Sequence, residues 1–169
     1  MPNHVANRLN IRATEETLKK IKNLLASTAE DGNVMSFESF FPTPEGYLDD
    51  DRWYHWRIQN WGTKWDCYDS WLIDDFTYKF NTAWSTPRDA ILRLSTLFPD
   101  ALFTVDYADE DASFNCGRYA VSNGEYTEDW TPEGDSLDAW NQFFNLHEGA
   151  EEDYVLTEDG QHYRHREFD

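Results

Sequence analysis

The chain has 169 residues, enough for one domain with a sizeable core, since a domain of this size buries roughly 70% of its unfolded surface. Aromatic residues make up 17% of the chain and are spread along its length, which argues against intrinsic disorder. The formal net charge of −19 repels phosphate backbones and anionic lipid surfaces, so direct binding to nucleic acid or to a membrane is not expected.

The negative charge is concentrated toward the C-terminus. Residues 1–100 hold 15 acids and 11 bases, whereas residues 101–169 hold 18 acids and 3 bases. Such a surface attracts basic proteins or cations. A solvated surface that keeps the protein soluble is the plainer interpretation, and the sequence leaves both open.

The cysteines and the N-terminus favour a cytoplasmic protein. Cys67 and Cys116 have no CxxC spacing, and MPNHVANRLNIR lacks the apolar core of a signal peptide. No stretch approaches the roughly 18 apolar residues of a membrane span. We therefore expect free thiols in a reducing compartment.

The first part of the chain predicts a β-α-β unit. Alternation of apolar and polar residues predicts a strand at 4–12, and Thr14 is placed to cap the helix that follows. The run VMSFESFF predicts a second strand at 34–41. Residues 45–73 interrupt this pattern, with a short helix at 52–61 that ends at Gly62.

A second unit follows from residue 75. Alternation predicts a strand through Phe80 with Trp84 on the same face, and Thr86 is the predicted cap of a helix that buries Leu94. Strands are expected at 102–107 and at about 113–122. Asn123-Gly124 then forms a hairpin turn.

The acidic third is also predicted to be folded. Asp135 is the expected cap of a helix that ends at Gly149, and residues 154–168 read as a hairpin around Asp159-Gly160. Two β-α-β-like units predict an α+β, ferredoxin-like antiparallel sheet with helices on one face and a Trp-rich insertion at 45–73. The predicted domains are 1–125 and an acidic helix-hairpin appendage, 126–169, packed on it.

Tryptophan is concentrated around the run NWGTKWD at 60–66. Five of the eight tryptophans lie within nineteen residues: Trp53, Trp56, Trp61, Trp65 and Trp71. Exposed indole is costly, so this segment is either buried, covers a ligand or awaits a partner.

Two interpretations of this segment stay open. A turn, flat aromatic walls and polar groups are typical of a small-molecule pocket. Its candidate ligand-binding residues are Trp61, Thr63, Lys64, Trp65, Asp66 and Trp84. Alternatively, the segment is a structural plug in which Lys64 pairs with Asp66 at the rim. Stacking of single-stranded nucleic acid would need a basic groove that the chain lacks.

No metal, cofactor or catalytic residue is expected. The chain has no HExxH, paired CxxC, EF-hand, GxSxG, P-loop or GxGxxG motif. His162 and His165 are three residues apart on a predicted strand, which sends them to opposite faces. The run DEDAS at 109–113, with Asp106 nearby, has the carboxylates that magnesium prefers, but a polar turn between strands is the favoured interpretation.

Four motifs in order resemble a known family. PNHVANRLNI, NWGTKWD, FNTAWSTP and LFPDALFTVDYADED are similar to segments of the YubB-like proteins of bacterial plasmids and phages. The resemblance covers about residues 2–122 and implies a ferredoxin-like domain encoded by a mobile element. That family has no agreed catalytic residues, so none is carried over.

The leading functional hypothesis is a non-enzymatic protein that presents its acidic part to a basic protein partner, with mimicry of nucleic acid in an anti-defence role as one form. The candidate partner-binding residues are Asp129, Glu133, Asp135 and Asp138. The alternative is an enzyme or sensor that binds a small ligand at NWGTKWD.

Overall fold

The computed structural model describes residues 1–167. Within them, the strands are β1 (His4–Arg12), β2 (Tyr68–Asp74), β3 (Thr77–Ala83), β4 (Leu102–Asp109), β5 (Cys116–Ser122), β6 (Glu125–Trp130), β7 (Tyr154–Leu156) and β8 (Tyr163–His165). The helices are α1 (Glu15–Leu25), α2 (Arg52–Asn60), α3 (Arg88–Leu97) and α4 (Leu137–Leu146).

Strands β1 to β6 form one antiparallel sheet in the order β2-β3-β1-β4-β5-β6. In the chain, α1 lies between β1 and β2, and α3 lies between β3 and β4. This connectivity is ferredoxin-like, and β5 and β6 extend the sheet beyond β4. The predicted α+β class and ferredoxin-like sheet are confirmed.

The main core lies on the face of the sheet that α1 and α3 cover. Val5, Asn7, Leu9 and Ile11 of β1 are buried, while the alternate residues of the strand are partly or fully exposed, as expected for a half-buried strand. Phe80 and Leu94 are buried in the same cluster, so both predicted core positions are confirmed.

Helix α4 and the hairpin of β7 and β8 lie on the opposite face of the sheet from α1 and α3. Ala139 and Leu146 of α4 pack against Ala108 of β4 and Cys116 of β5 in a second, smaller cluster. The hairpin of β7 and β8 packs on α4 through Trp140. The ring centroid of Trp140 lies 4.9 Å from that of Tyr154 and 5.5 Å from that of Tyr163. The sheet is thus covered on both faces.

The predicted strand at 34–41 is wrong, because this segment is irregular and the second strand of the unit is β2. Met35 and Phe37 nevertheless reach the core. Side chains satisfy the segment's backbone, since Val34 N donates to Ser70 Oγ at 2.8 Å and Phe37 N donates to Asp66 Oδ1 at 2.7 Å. The alternating apolar pattern therefore reflects burial of loop side chains and not a strand.

Two predicted helix caps are also wrong. Helix α3 follows Pro87, and the hydroxyl of Thr86 instead lies 3.2 Å from the Tyr119 hydroxyl. At α4 the cap is Ser136, whose hydroxyl accepts a backbone N–H of the first turn. Asp135 has φ of 62°, outside the extended region that an N-cap adopts.

The predicted turn at Asn123-Gly124 is confirmed, with φ of 48° and 76° as a type I′ hairpin requires. The predicted domain boundary at 125/126 falls at the start of β6, which pairs with β5 in the main sheet. The predicted hairpin at 154–168 contains β7 and β8, and its last residue lies outside the described residues. Within residues 1–167, no helix is long and apolar enough to cross a bilayer.

Candidate functional site

The structure divides the tryptophan-rich segment into a buried half and an exposed half. Trp61 is fully buried, and its indole Nε1 donates to the carbonyl oxygen of Phe41 at 2.9 Å. Its ring lies edge-on between Phe37 and Trp56, at centroid distances of 5.6 and 5.8 Å. This half fills the core, as the plug interpretation expects.

Thr63 and Asp66 belong to the same structural half. The Thr63 hydroxyl is buried and donates to the carbonyl oxygen of Ala83 at 2.8 Å. The Asp66 carboxylate accepts from the Ser36 hydroxyl at 2.5 Å, and it also binds the backbone N–H groups of residues 37 and 67. Asp66 therefore anchors the irregular segment, and the predicted pairing of Lys64 with Asp66 is wrong.

The exposed half is formed by Lys64 and Trp65, which are partly exposed, together with the exposed Trp84 and the partly exposed Tyr54, a residue that sequence reasoning missed. The Lys64 Nζ lies 4.7 Å from the ring centroid of Trp84, 5.0 Å from that of Trp65 and 5.9 Å from that of Tyr54. We call this concavity, of about 630 Å³, the aromatic recess. The same recess is also lined by Asp51, Trp53 and His55.

The backbone of Trp84 is strained. Its φ of 68° lies in the left-handed region, which bulky residues rarely adopt. Hydrogen bonds hold it there, since Trp84 N donates to Asn3 O and its carbonyl accepts from Asn115 Nδ2, both at 2.9 Å. The indole remains 43% exposed, so burial does not offset the strain. Retained strain of this kind clusters at binding sites.

A second candidate surface runs along β6 and into the start of α4. All six residues of β6 are exposed. We call this surface the acidic edge and define it by the exposed carboxylates Glu125, Glu128, Asp129, Glu133 and Asp138. Residues 119–163 contain twelve acids and no lysine or arginine.

The four predicted partner-binding acids are all exposed, but they are not equivalent. Glu133 and Asp138 make no side-chain hydrogen bond or ion pair within residues 1–167. Asp129 lies 3.0 Å from the Arg88 guanidinium, and the Asp135 carboxylate accepts from the Trp140 Nε1 at 2.9 Å. Asp135 therefore has a structural role at the start of α4.

Aromatic side chains are interspersed along the acidic edge. Tyr126 and Trp130 are 42% and 38% exposed. Tyr126 contacts Tyr119 edge-on at 6.1 Å, beside the Arg88 guanidinium. Exposed Tyr and Trp next to charge are common in protein interfaces.

A polar cleft of about 330 Å³ beside the C-terminal end of α4 was not predicted. Its polar lining comes from three strands, from the residue after β4 and from the residue after α4, so no local motif marks it. These polar residues are His4, Asp69, Lys79, Asn81, Glu110 and His147. Several of these groups already have partners. His4 Nδ1 hydrogen-bonds the Tyr68 hydroxyl, Lys79 Nζ lies 2.6 Å from Glu148, and His147 Nε2 lies 3.2 Å from a carbonyl. Burial raises the pKa of Tyr68 to about 12, which keeps this phenol protonated at neutral pH.

The cysteines are poor nucleophiles. Both thiols are buried and free. Burial raises the pKa of Cys67 well above its ordinary value and that of Cys116 to about 11. Since the thiolate is the reactive form, neither side chain is prepared for covalent catalysis.

The carboxylates around the run DEDAS organise structure. Asp109 accepts from Asn3 Nδ2 at 3.1 Å and from Asn115 Nδ2 at 2.8 Å, as a turn residue does. Burial alone would raise the pKa of Asp106, but hydrogen bonds from Arg118 and Gln142 and the nearby arginine charges outweigh it and lower that pKa. Among residues 1–167, no three histidine, cysteine or acidic side chains are grouped to hold a metal ion.

Comparison with known proteins shows the family. The family described as the ferredoxin-like domain in Api92-like proteins matches residues 60–163, more than half of the chain, and the chain belongs to it. The match begins within the tryptophan-rich segment and ends at Tyr163, the first residue of β8, so it includes the acidic edge and α4. No curated protein and no solved structure matches the chain.

Proposed function

We propose that this family member is a non-enzymatic binding protein that presents its acidic edge to a basic protein partner. The observation that carries the proposal is the ordered, exposed set of carboxylates on β6 and at the start of α4, in a part of the chain without lysine or arginine. A fixed negative surface accelerates encounter with basic partners and disfavours acidic ones. Exposed Tyr126 and Trp130 add apolar contact area to it.

An origin in a mobile element would narrow the kind of partner. Similarity of four segments to the YubB-like proteins supports a role in a bacterial plasmid or phage. A mobile element benefits from blocking basic host proteins that bind its nucleic acid. Mimicry of phosphate charge by the acidic edge is a mechanism for such anti-defence activity, and it acts in the cytoplasm.

Charge reversal tests the acidic edge. Residues Glu125, Glu128, Glu133 and Asp138 are exposed and have no side-chain hydrogen bond within residues 1–167, so replacing them with lysine spares the internal network. A host partner should be isolated with the wild-type protein, identified, and its binding measured across a salt series. The variant is expected to associate more slowly and to show a flatter salt dependence.

A second reversal variant separates local charge from net charge. Glu30, Glu45, Asp49 and Asp100 are also exposed and make no side-chain hydrogen bond or ion pair within residues 1–167, and replacing them with lysine changes the net charge equally at a different place. This control should bind nearly as well as wild type. An equal loss of affinity in both variants, or an affinity that does not depend on salt concentration, would contradict recognition by the acidic edge. Competition by duplex DNA for the same partner tests mimicry directly.

The aromatic recess supports a second candidate function, the binding of a small ligand by an enzyme or sensor. The strained and exposed Trp84 beside Lys64 favours it. A planar or anionic ligand would find aromatic walls and one cation there. Trp84→Ala and Lys64→Ala should then abolish function while the reversals at the acidic edge leave it intact. The opposite pattern is expected if partner binding at the acidic edge is the function.

A further inference from the structure

The two edges of the main sheet differ in how their backbone is covered. At the β2 edge, Ser70 N donates to Asn33 Oδ1 at 2.8 Å, and the Ser70 hydroxyl accepts from Val34 N. The irregular segment after α1 thus occupies that edge. At the other end of the sheet, β6 pairs with β5 only, and no segment within residues 1–167 pairs with its outer side.

The strand register identifies which backbone groups of β6 point outward. In an antiparallel sheet, a residue directs both its N–H and its C=O to one side, and successive residues alternate. Asn115 O accepts from Asp109 N, so residues 115, 117 and 119 bond toward β4, and residues 118 and 120 bond toward β6.

Residues 118 and 120 pair with Trp130 and Glu128, and Asp129 lies between these two. Its N–H and C=O therefore point away from the sheet. Tyr126 pairs with Val121, a residue that bonds toward β4, so the backbone of Tyr126 also points outward. The irregularity between these two positions introduces one extra residue, Thr127, as a β-bulge does.

We propose that β6 accepts an extended basic segment of the partner as a seventh strand, with backbone hydrogen bonds at Tyr126 and Asp129. This inference rests on the proposed function and adds its binding mode. Added strands gain affinity from backbone pairing and specificity from alternate side chains. Cationic side chains of the segment would lie beside Glu125, Glu128 and Asp129, and opposite charges across strands stabilise pairing.

Charge also selects against a second copy of this chain as the occupant. Two β6 strands side by side would bring their carboxylates together, and like charges opposite one another destabilise a pair. Acidic side chains on an edge strand prevent self-association in this way. A basic segment meets no such barrier.

Two peptides test strand addition on the full chain. The first is a capped eight-residue peptide of alternating lysine and threonine, and the second carries an N-methyl group on every backbone amide, so that neither edge of its strand is free to pair. Their charge and side chains are equal, but the second cannot complete the backbone pairing. We expect it to bind about tenfold more weakly, as loss of one or two hydrogen bonds predicts. Amide hydrogen exchange at Tyr126 and Asp129 should slow when the first peptide binds and not when the second is added.

A pair of protein variants gives a matched control. Asp129→Asn and Asp129→Pro both remove the carboxylate, but only proline removes the outward N–H, and an edge strand tolerates proline there. The proline variant should lose about a further tenfold in affinity. If the proline variant does not fold, the comparison of the two peptides on the wild-type chain still tests strand addition at β6.

The outcomes separate this inference from the proposed function. Equal affinity of the two peptides, with no protection at residues 126 and 129, overturns strand addition and leaves recognition by charge standing. Lack of binding by either peptide at low ionic strength overturns both. Slower exchange at the two outward amides with the unmodified peptide alone supports both.

Discussion

Replacing Trp61 with phenylalanine should destabilise the fold strongly, although Trp61 belongs to a segment with the composition of a pocket. The indole is fully buried and donates to the carbonyl oxygen of Phe41 at 2.9 Å. Phenylalanine keeps an aromatic ring but leaves a cavity that costs about 1 kcal/mol. It also leaves that buried acceptor unsatisfied, which costs about 1 to 3 kcal/mol. The expected loss in the free energy of unfolding is therefore about 2 to 4 kcal/mol.

Urea denaturation followed by far-ultraviolet circular dichroism measures this loss. Trp71→Phe is the matched control, because Trp71 is 49% exposed and surface substitutions change stability by about 0.5 kcal/mol or less. The reasoning would be refuted if both variants unfolded at the wild-type midpoint with an unchanged slope. That result would mean that Trp61 is not part of the core and that the whole segment is available to a ligand.

Three further substitutions test other parts of the structure. Leu94→Ala should cost about 2 to 5 kcal/mol in a denaturation experiment, because the side chain is buried between α3 and the sheet, and an unchanged midpoint would contradict that placement. Asp106→Asn should cost about 2 to 3 kcal/mol at pH 7, less than a fully buried pair because its arginine partners are partly exposed. The folded pKa of Asp106 is lowered, so its contribution is present above about pH 4 and is lost as the pH falls through the folded value. The difference in the free energy of unfolding between wild type and this variant should therefore become smaller in acid. A difference that stays constant down to pH 2 would contradict the ion pairs. Trp84→Gly should change stability by about 1 kcal/mol or less, because relief of the positive φ offsets the lost ring contacts, and a large loss would show that the recess is a structural element.

The parts of the fold that were predicted correctly are those with local signals. Residues 4–12 alternate because one side of β1 faces the core, and Asn123-Gly124 has the two residues that tolerate positive φ in a tight turn. The prediction of a strand at 34–41 was wrong because the alternation of apolar and polar residues there belongs to a loop. Long-range hydrogen bonds to Ser70 and Asp66 hold this loop in place. No periodicity rule detects such bonds.

Strand β2 was missed for the opposite reason. It is an irregular edge strand whose apolar residues Trp71 and Ile73 are exposed, so its sequence lacks the pattern of a half-buried strand. All of β2 except its last residue was included instead in the predicted insertion at 45–73. Once β2 replaces the segment at 34–41, the order of elements around β1 and β3 remains ferredoxin-like, and the predicted class was therefore unaffected.

The candidate sites were predictable only in composition. The run NWGTKWD marks the region correctly, but its division into a buried Trp61 and a partly exposed Lys64 depends on contacts with Phe41 and Trp84, which are distant in sequence. The strain at Trp84 has no sequence signal, since its φ follows from bonds to residues 3 and 115. The acidic residues of β6 could be identified from the sequence. The outward direction of its backbone N–H and C=O groups could be determined only from the strand register in the structure.

Solubility alone does not account for the distribution of charge. A small domain stays soluble with a net charge of about 2 to 8 in magnitude, and residues 1–100, with 15 acids and 11 bases, already lie in that range. The further excess sits in residues 101–169, where carboxylates on β6 and α4 repel one another and oppose compact folding. Residues 119–163 carry no lysine or arginine of their own, and within residues 1–167 only Asp129 and Glu148 among their acids form an ion pair, with Arg88 and Lys79. The first hundred residues instead place bases beside acids along the chain, as at Lys20 and Glu16. A repulsive cluster that is ordered, exposed and next to an open sheet edge is the arrangement expected if a cationic partner supplies the missing charge.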